Sequence, residues 1–304
     1  MKESTGRMPK VSVCVVTYNQ EKFIGHCLQS LVDQQTDFDF EVIVGDDGST
    51  DRTRDIVADY ARRYPAIVKP VLHEKNIGAD KNYFFVHEMA VGEYIAHVDG
   101  DDYALPGKLQ AQADYLDAHP GCNIVWHRMY VMNNRTGVMV EDLLDLPRLG
   151  HPTFRRADIL RLITVGMNSS KMYRAAVRDF AKPGFPVVDY FANVEKIGSG
   201  SADFVSDTPL GVYRVGIGIA AAGNGTKVLL QKSFLFLAAK YPEHRRDIAC
   251  AALLLFAAAL KNRHWTNVRL FGRVLLKTMR FGSLVDMVRN RTIMSMLRLP
   301  NAVR

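Results

Sequence analysis

Short apolar runs alternate with helical stripes through the first hundred residues. "VSVCVVTY" (11–18) is β-branched and continuously apolar, the pattern of a strand buried on both faces. The following "NQEKFIGHCLQSLVDQQ" gathers Phe23, Ile24, Cys27, Leu28 and Leu31 on one helical face. "FEVIVGDDGST" repeats the strand and ends in a turn, and "STDRTRDIVADYARRY" offers cap residues before a second helix. "AIVKPVLHE", "KNYFFVHEMAVG" and "EYIAHVD" then read as strand, helix and strand. This alternation predicts an α/β fold with a doubly wound, mostly parallel sheet flanked by helices.

Past residue 105 the pattern loosens. "LPGKLQAQADYLDAHP" reads as a helix, and "NIVWHRMYVMNNRTGVMV" as a strand pair turning through Asn-Asn-Arg-Thr-Gly. "NSSKMYR" (168–174), "PVVDYFANVEKIG" (186–198) and "TPLGVYRVG" (208–216) read as strand, helix and strand. A Gly/Ala-rich boundary at 216–226 precedes a tail, 227–298, that is helical throughout.

In doubly wound sheets ligands bind beyond the carboxyl ends of the strands. Four polar clusters fall there: Thr17-Tyr18-Asn19, Gly45 to Ser49, His73 to Gly78, and Asp99-Gly100-Asp101-Asp102. An acidic run such as the last can be a plain surface turn, but three crowded carboxylates also suit an oxygen-liganded divalent cation. Convergence of four clusters on one rim favours the binding site.

Charge and cysteine usage narrow the partners. The net charge of +7 is unevenly held: residues 226–304 carry fifteen Lys and Arg against Glu243, Asp247 and Asp286, leaving +12 in the tail and −5 in 1–225. An acidic body argues against nucleic acid, whose binders carry basic residues and stacking aromatics on the folded surface. Cys14, Cys27, Cys122 and Cys250 are scattered without a Cys-x-x-Cys pair, which fits a reducing compartment and neither zinc nor disulfides. The start, "MKESTGRMPKVS", has no apolar signal core, and the longest apolar run, 248–260, is too short to cross a bilayer. A cytoplasmic protein is expected.

The stretches "VVTYNQEKFI", "FEVIVGDDGSTDRT", "HEKNIGADKNYFF" and "GEYIAHVDGDDY" together resemble the family 2 glycosyltransferases, with similarity running from about Val11 to Val215. The resemblance implies the GT-A fold of nucleotide-diphospho-sugar transferases in residues 1–225, with a nucleotide-binding half at about 9–105, an acceptor half at about 106–225, and a basic helical appendage at 226–304. It implies an inverting, metal-dependent transfer of a single sugar from a nucleotide diphosphate sugar to a saccharide or lipid-linked acceptor, for a bacterial surface polysaccharide. The Gln-x-x-Arg-Trp of processive relatives is absent after residue 200. By the same resemblance Asp46 binds the nucleotide base with Thr17 and Asn19 beside it, and Lys81 lies near the phosphates. Asp99 faces the ribose and metal, and Asp101 ligates Mn²⁺ or Mg²⁺. Such a cation neutralises the leaving diphosphate.

A further carboxylate has to take the acceptor's proton. The resemblance suggests Asp189 in "PVVDYF", although Asp there also suits a helix N-cap, and Asp142, Asp145 and Glu195 are rivals. Similar sequences carry a His two residues after a Tyr-Arg pair, where this chain has Gly216. A catalytically silent nucleotide-sugar-binding or scaffold protein of the same fold is therefore the alternative. His26, His87 and His119 have no metal-like spacing and read as solvated or packed, whereas Trp126 reads as core and His127 could reach the acceptor side. The tail mixes Trp265 and Phe271 with Arg269, Arg273 and Lys277. It could lie on an anionic membrane surface, on the inner face, or pack on the body as a bundle.

Overall fold

The computed structural model describes residues 8–216, 225–280, 282–300 and 303. Its order begins β1 (Val11–Thr17), α1 (Ile24–Val32), β2 (Phe40–Asp46), α2 (Thr53–Arg63), β3 (Val68–Leu72), α3 (Ala79–Met89) and β4 (Tyr94–Asp99), in agreement with the periodicity. β1 lies between β2 and β4 and is parallel to both. The chain thus winds outward through β2 and β3, then crosses back to β4 on the other side of β1. That reversal is the switch point at which doubly wound sheets open a crevice.

Side chains alternate across β1 with the period of two that a strand dictates. Val11, Val13 and Val15 pack with Leu28 and Leu31 of α1 and Val57 of α2, while Cys14 enters a second cluster with Val86 of α3. Both faces of the sheet are covered, which explains the unbroken apolar run.

The second half departs from the expected pattern. After β5 (Tyr103–Ala104) and α4 (Lys108–Ala118) come β6 (Cys122–Trp126), β7 (Tyr130–Asn133) and β8 (Met139–Glu141). The expected single strand pair is instead split between two sheets: β6 joins the large sheet, and only β7 and β8 form the hairpin. Two short helices, α5 (Leu146–Leu149) and α6 (Arg156–Leu162), follow. "NSSKMYR" is not all strand either, because 168–170 form a 3-10 turn and only β9 (Met172–Arg174) is extended. β9 is antiparallel to both β4 and β6 and bridges them. After α7 (Asp189–Lys196), β10 (Ser201–Phe204) completes a seven-stranded sheet in the order β10-β6-β9-β4-β1-β2-β3. β11 (Gly211–Val215) enters the four-stranded sheet β5-β11-β7-β8.

The tail forms α8 (Gly225–Lys240), α9 (Arg245–Lys261), α10 (Trp265–Thr278), α11 (Ser283–Arg289) and α12 (Arg291–Met296). Most of the expected Gly/Ala-rich boundary, 217–224, lies outside the described residues. The tail packs on the body: Phe234 stands edge-on to Tyr190 at 5.2 Å, and Phe236 lies 5.5 Å from Phe191. Arg161 pairs with Asp247 at 2.6 Å, and Lys240 with Glu195 at 2.6 Å. Phe271, a candidate for headgroup contact, is instead buried in the same cluster as Trp126 and Phe191. Among the described residues no helix is long and apolar enough to cross a membrane.

Candidate functional site

The register of the sheet collects the polar clusters. Thr17 is paired with Asp46, and Val16 with Asp99, so the ends of β1, β2 and β4 present their polar residues in one row. Asn19, in a left-handed conformation at φ 52°, knits the first two loops: its backbone N–H donates to Ser49 Oγ at 2.9 Å and its Oδ1 accepts from the Thr50 N–H at 2.8 Å. Thr17 Oγ1 donates to Gln20 Oε1 at 2.8 Å. Gly100 packs against this pair, and a Cβ there would meet Gln20 Oε1 at 2.6 Å and Thr17 Cβ at 2.9 Å.

Asp46 is fully buried. Its Oδ2 accepts the Ser49 N–H at 3.1 Å and faces the Arg54 guanidinium at 3.6 Å, whereas Oδ1 has no hydrogen-bond partner. A buried acceptor left unpaired is costly and usually awaits a donor. Asp47 holds the third loop, accepting from the backbone N–H of Ile77 at 2.7 Å and Gly78 at 3.1 Å. Gly48, at φ +71°, allows that approach, since a Cβ would lie 2.6 Å from the backbone of Lys75 and Asn76.

In the acidic run the three carboxylates differ. Asp102 is buried and takes the Ser169 hydroxyl at 2.5 Å and the Arg214 N–H at 2.8 Å. Burial, then Asp99 and Asp101, push its pKa well above the carboxylate range. Asp101 is pushed up to about 6 by burial and by Asp99. Burial opposes ionisation of Asp99 as well, yet His97, Ser169 and Lys171 bring its pKa below the ordinary value. Its side chain remains 32% exposed. Two crowded carboxylates of this kind are a suitable oxygen donor set for a hard divalent cation. No cluster of three or more His, Cys, Asp or Glu able to hold a metal occurs among the described residues, so Asp99 and Asp101 would need ligands from a bound diphosphate.

Asp189 is exposed and is the first residue of α7, not its N-cap; that position is Val188, with no side-chain cap. Burial raises the Tyr213 pKa, and the charges of Asp102, Asp99, Asp101 and Asp189 reinforce the shift. The rivals are engaged elsewhere. Asp142 binds Arg128 at 2.9 Å, Asp145 caps α5 by accepting the Arg148 N–H at 3.0 Å, and Glu195 pairs with Lys240. Lys81 is exposed on the first turn of α3 and lines a groove of about 270 Å³ with Phe84, Phe85, Lys182 and Val187.

Sequence reasoning missed several residues. Lys171 and Lys196 are buried, held by Asn168 and Asn193 and by the Tyr83 hydroxyl, respectively. Burial lowers both pKa values, and Asp189 opposes this. Arg214 donates to the Asp101 carbonyl, bonds His26 Nδ1 at 3.0 Å and lies over the Tyr103 ring at 4.8 Å. The signal for Arg214 was the Tyr-Arg pair itself; the buried lysines carry none. Gly216 adopts φ +85°, and no described residue lies within 4 Å of its Cβ position. His127 turns inward, bonding Lys108 Nζ at 3.2 Å and the Arg128 carbonyl at 2.8 Å, and does not face the acceptor half's surface. Trp126 is core, as expected.

Known proteins are similar to this chain in sequence and in fold. An uncharacterised Mycobacterium tuberculosis protein is 42% identical over 123 residues, 40% of this chain and 36% of that protein. Poly(ribitol-phosphate) beta-N-acetylglucosaminyltransferase TarS of Staphylococcus aureus is 40% identical over 115 residues, 37% of this chain and 20% of its own. The matches thus span about a third or less of these relatives' length. The crystal structure of TarS 1–349 superposes with a TM-score of 0.68 at 23% identity, covering 95% of this chain and 87% of that one, and TarS has also been solved with UDP-GlcNAc. A mannosyltransferase from Pyrobaculum calidifontis, in complex with GDP-Man and Mn²⁺, gives a TM-score of 0.53 at 18% identity, covering 96% and 85%. At such identities these likenesses concern the fold. The description "Glycosyl transferase family 2" matches residues 12–179, more than half of the sequence, and with the strand-end clusters inside that span the chain belongs to glycosyl transferase family 2.

Proposed function

We propose that the protein is an inverting, metal-dependent glycosyltransferase that moves one sugar from a nucleoside diphosphate sugar to a hydroxyl of a saccharide or lipid-linked acceptor in cell-surface polysaccharide assembly. The observation that carries this reading is the buried Asp46, with Oδ1 unpaired, in one row with the acidic run at the switch point of the sheet. Asp46 would accept an N–H of the base, with Thr17 and Asn19 shaping that pocket and Lys81 at its phosphate side. Bound by Asp99 and Asp101, Mn²⁺ or Mg²⁺ would neutralise charge developing on the leaving diphosphate. The acceptor oxygen attacks the anomeric carbon opposite the departing diphosphate oxygen, and its proton passes to the Asp189 carboxylate. The UDP-GlcNAc and GDP-Man of the structural relatives support a donor of this class. On this reading residues 1–225 carry the catalytic machinery and 226–304 support it.

The test is a panel of UDP- and GDP-sugars with Mn²⁺, scored for thermal stabilisation and nucleotide release. A donor raises the melting temperature because it binds the folded state. Asp189→Asn is expected to bind that donor as the wild type does while sugar transfer falls about a hundredfold or more, the usual weight of a positioned base. Donor hydrolysis, in which water is the acceptor, should fall less. Equal small losses in both would remove Asp189 from catalysis. No response to any donor would leave the scaffold reading.

The outer face of α10 supports a second contact. Trp265 and Leu276 are exposed beside Arg269, Arg273 and Lys277. This face would adsorb to anionic lipid, and vesicle co-sedimentation is expected to weaken with salt, since exposed charges are screened over about 10 Å at 0.1 M. Absence of binding to anionic vesicles at low salt would dismiss it.

A further inference from the structure

A line of buried polar groups runs from the site into the core beneath α3. Asp99 Oδ1 lies 3.1 Å from His97 Nε2, His97 Nδ1 lies 3.0 Å from His87 Nε2, and His87 Nδ1 lies 2.6 Å from the Tyr173 hydroxyl. Both rings are sealed from solvent, with His97 at 0% and His87 at 1% exposure. Tyr83 stacks on His87 at 3.9 Å and tilts against His97 at 5.0 Å, fixing both ring planes.

Hydrogen-bond chemistry gives this line a direction. An ionised carboxylate only accepts, so His97 Nε2 carries a hydrogen. A neutral His97 then accepts at Nδ1, which requires a hydrogen on His87 Nε2 and leaves His87 Nδ1 to accept from the Tyr173 hydroxyl. Every contact is satisfied with both rings neutral in only this one-way order. Burial, and after it Lys196, whose Nζ lies 4.0 Å over the Tyr173 ring, lower the His87 pKa well below the usual imidazole value. The Asp99 carboxylate has one other side-chain hydrogen bond among the described residues, from Ser169 Oγ at 3.3 Å, and that hydroxyl lies closer to Asp102, at 2.5 Å. The firm anchor of the Asp99 carboxylate is therefore His97.

We propose that Tyr173, His87 and His97 form a tautomer-locking chain that aims the Asp99 carboxylate at the metal and diphosphate of the donor. His97 is a positioning residue, and His87 and Tyr173 act through it. This rests on the reading of Asp99 as a donor-site carboxylate. Such outer partners of a metal-binding carboxylate or imidazole hold it in one orientation ahead of binding.

The experiment has two arms on the full chain. In the first, ¹⁵N-histidine NMR of the wild type without metal is expected to show a hydrogen on Nε2 of both rings. In His87→Phe, His97 loses its lock and should redistribute toward Nδ1–H. Absence of the Nε2 hydrogen from either ring in the wild type overturns the chain whether or not the protein binds a nucleotide. In the second, calorimetry measures Mn²⁺-dependent binding of UDP and GDP. His97→Phe, similar in shape but unable to donate, is expected to lose about tenfold or more in affinity, while His97→Gln, whose amide both donates and accepts, stays within about threefold. If His97→Phe does not fold, His87→Phe takes its place with the same expectation of loss. Equal affinity in wild type, His97→Phe and His97→Gln overturns this inference alone; a wild type that binds neither diphosphate with Mn²⁺ overturns the donor-site reading on which it rests.

Discussion

Asp101→Asn is expected to abolish metal-dependent nucleotide binding and turnover while making the metal-free protein more stable at pH 8. A carboxyl whose pKa rises from an ordinary 3.8 to about 6 is disfavoured in its ionised form by about 3 kcal/mol, and residual contact with water brings the expected gain nearer 2 kcal/mol. The sign follows from linkage. Between about pH 4 and 6 the folded chain holds a proton that the unfolded chain releases, so this group's contribution falls as pH rises through that window and the deficit persists above it. A neutral amide escapes the deficit, so the gain should be full at pH 8 and vanish near pH 4. It is also a poor ligand for a hard cation, so Mn²⁺ with nucleoside diphosphate should no longer raise the melting temperature. Urea melts at both pH values, with and without Mn²⁺, decide both parts. A variant that Mn²⁺ still stabilises like the wild type would free Asp101 of any metal role.

Removing residues 225–304 is expected to prevent native folding. The loss uncovers Tyr190 and Phe191, which pack against Phe234 and Phe236, and exposes the cluster that Leu237, Ile248 and Phe271 close. Each large apolar side chain contributes about 1.5–3 kcal/mol when buried, and several together exceed the 5–15 kcal/mol that holds a typical domain folded. The shortened chain should bind a hydrophobic dye and melt without cooperativity. Phe234→Ala is the milder form, expected to cost about 3–5 kcal/mol with nucleotide affinity unchanged. A shortened chain that unfolds cooperatively at the wild-type temperature would make the tail a separable appendage.

The site was legible where its residues sit at the ends of long, regular elements. Asp46 and Asp99 terminate β2 and β4, and the apolar run before each marks both the strand and its end. His97 was hidden for the same reason: inside "YIAHVD" it reads as one more buried strand position, and its partner His87 reads as one face of a helix. Lys171 and Lys196 resemble solvated lysines in sequence because the asparagine and tyrosine that stabilise them lie far along the chain, Asn193 from Lys171 and Tyr83 from Lys196. Arg214 is brought to the acidic run by pairing of β11 with β5, a two-residue strand too short to show any period.

Local pattern determined the parallel half of the fold, because a strand buried on both faces and a helix with one apolar face each leave a periodic record of what surrounds them. It also determined which polar clusters stand at the rim. It did not determine the partners. Only tertiary structure decided that β9 runs antiparallel between β4 and β6, that β6 and β7 belong to different sheets, and that Phe271 faces the body while Leu276 faces solvent. Burial periodicity records that a face is covered, not by what, and short strands, buried cations and the choice between bundle and membrane surface are settled by contacts between residues remote in the chain.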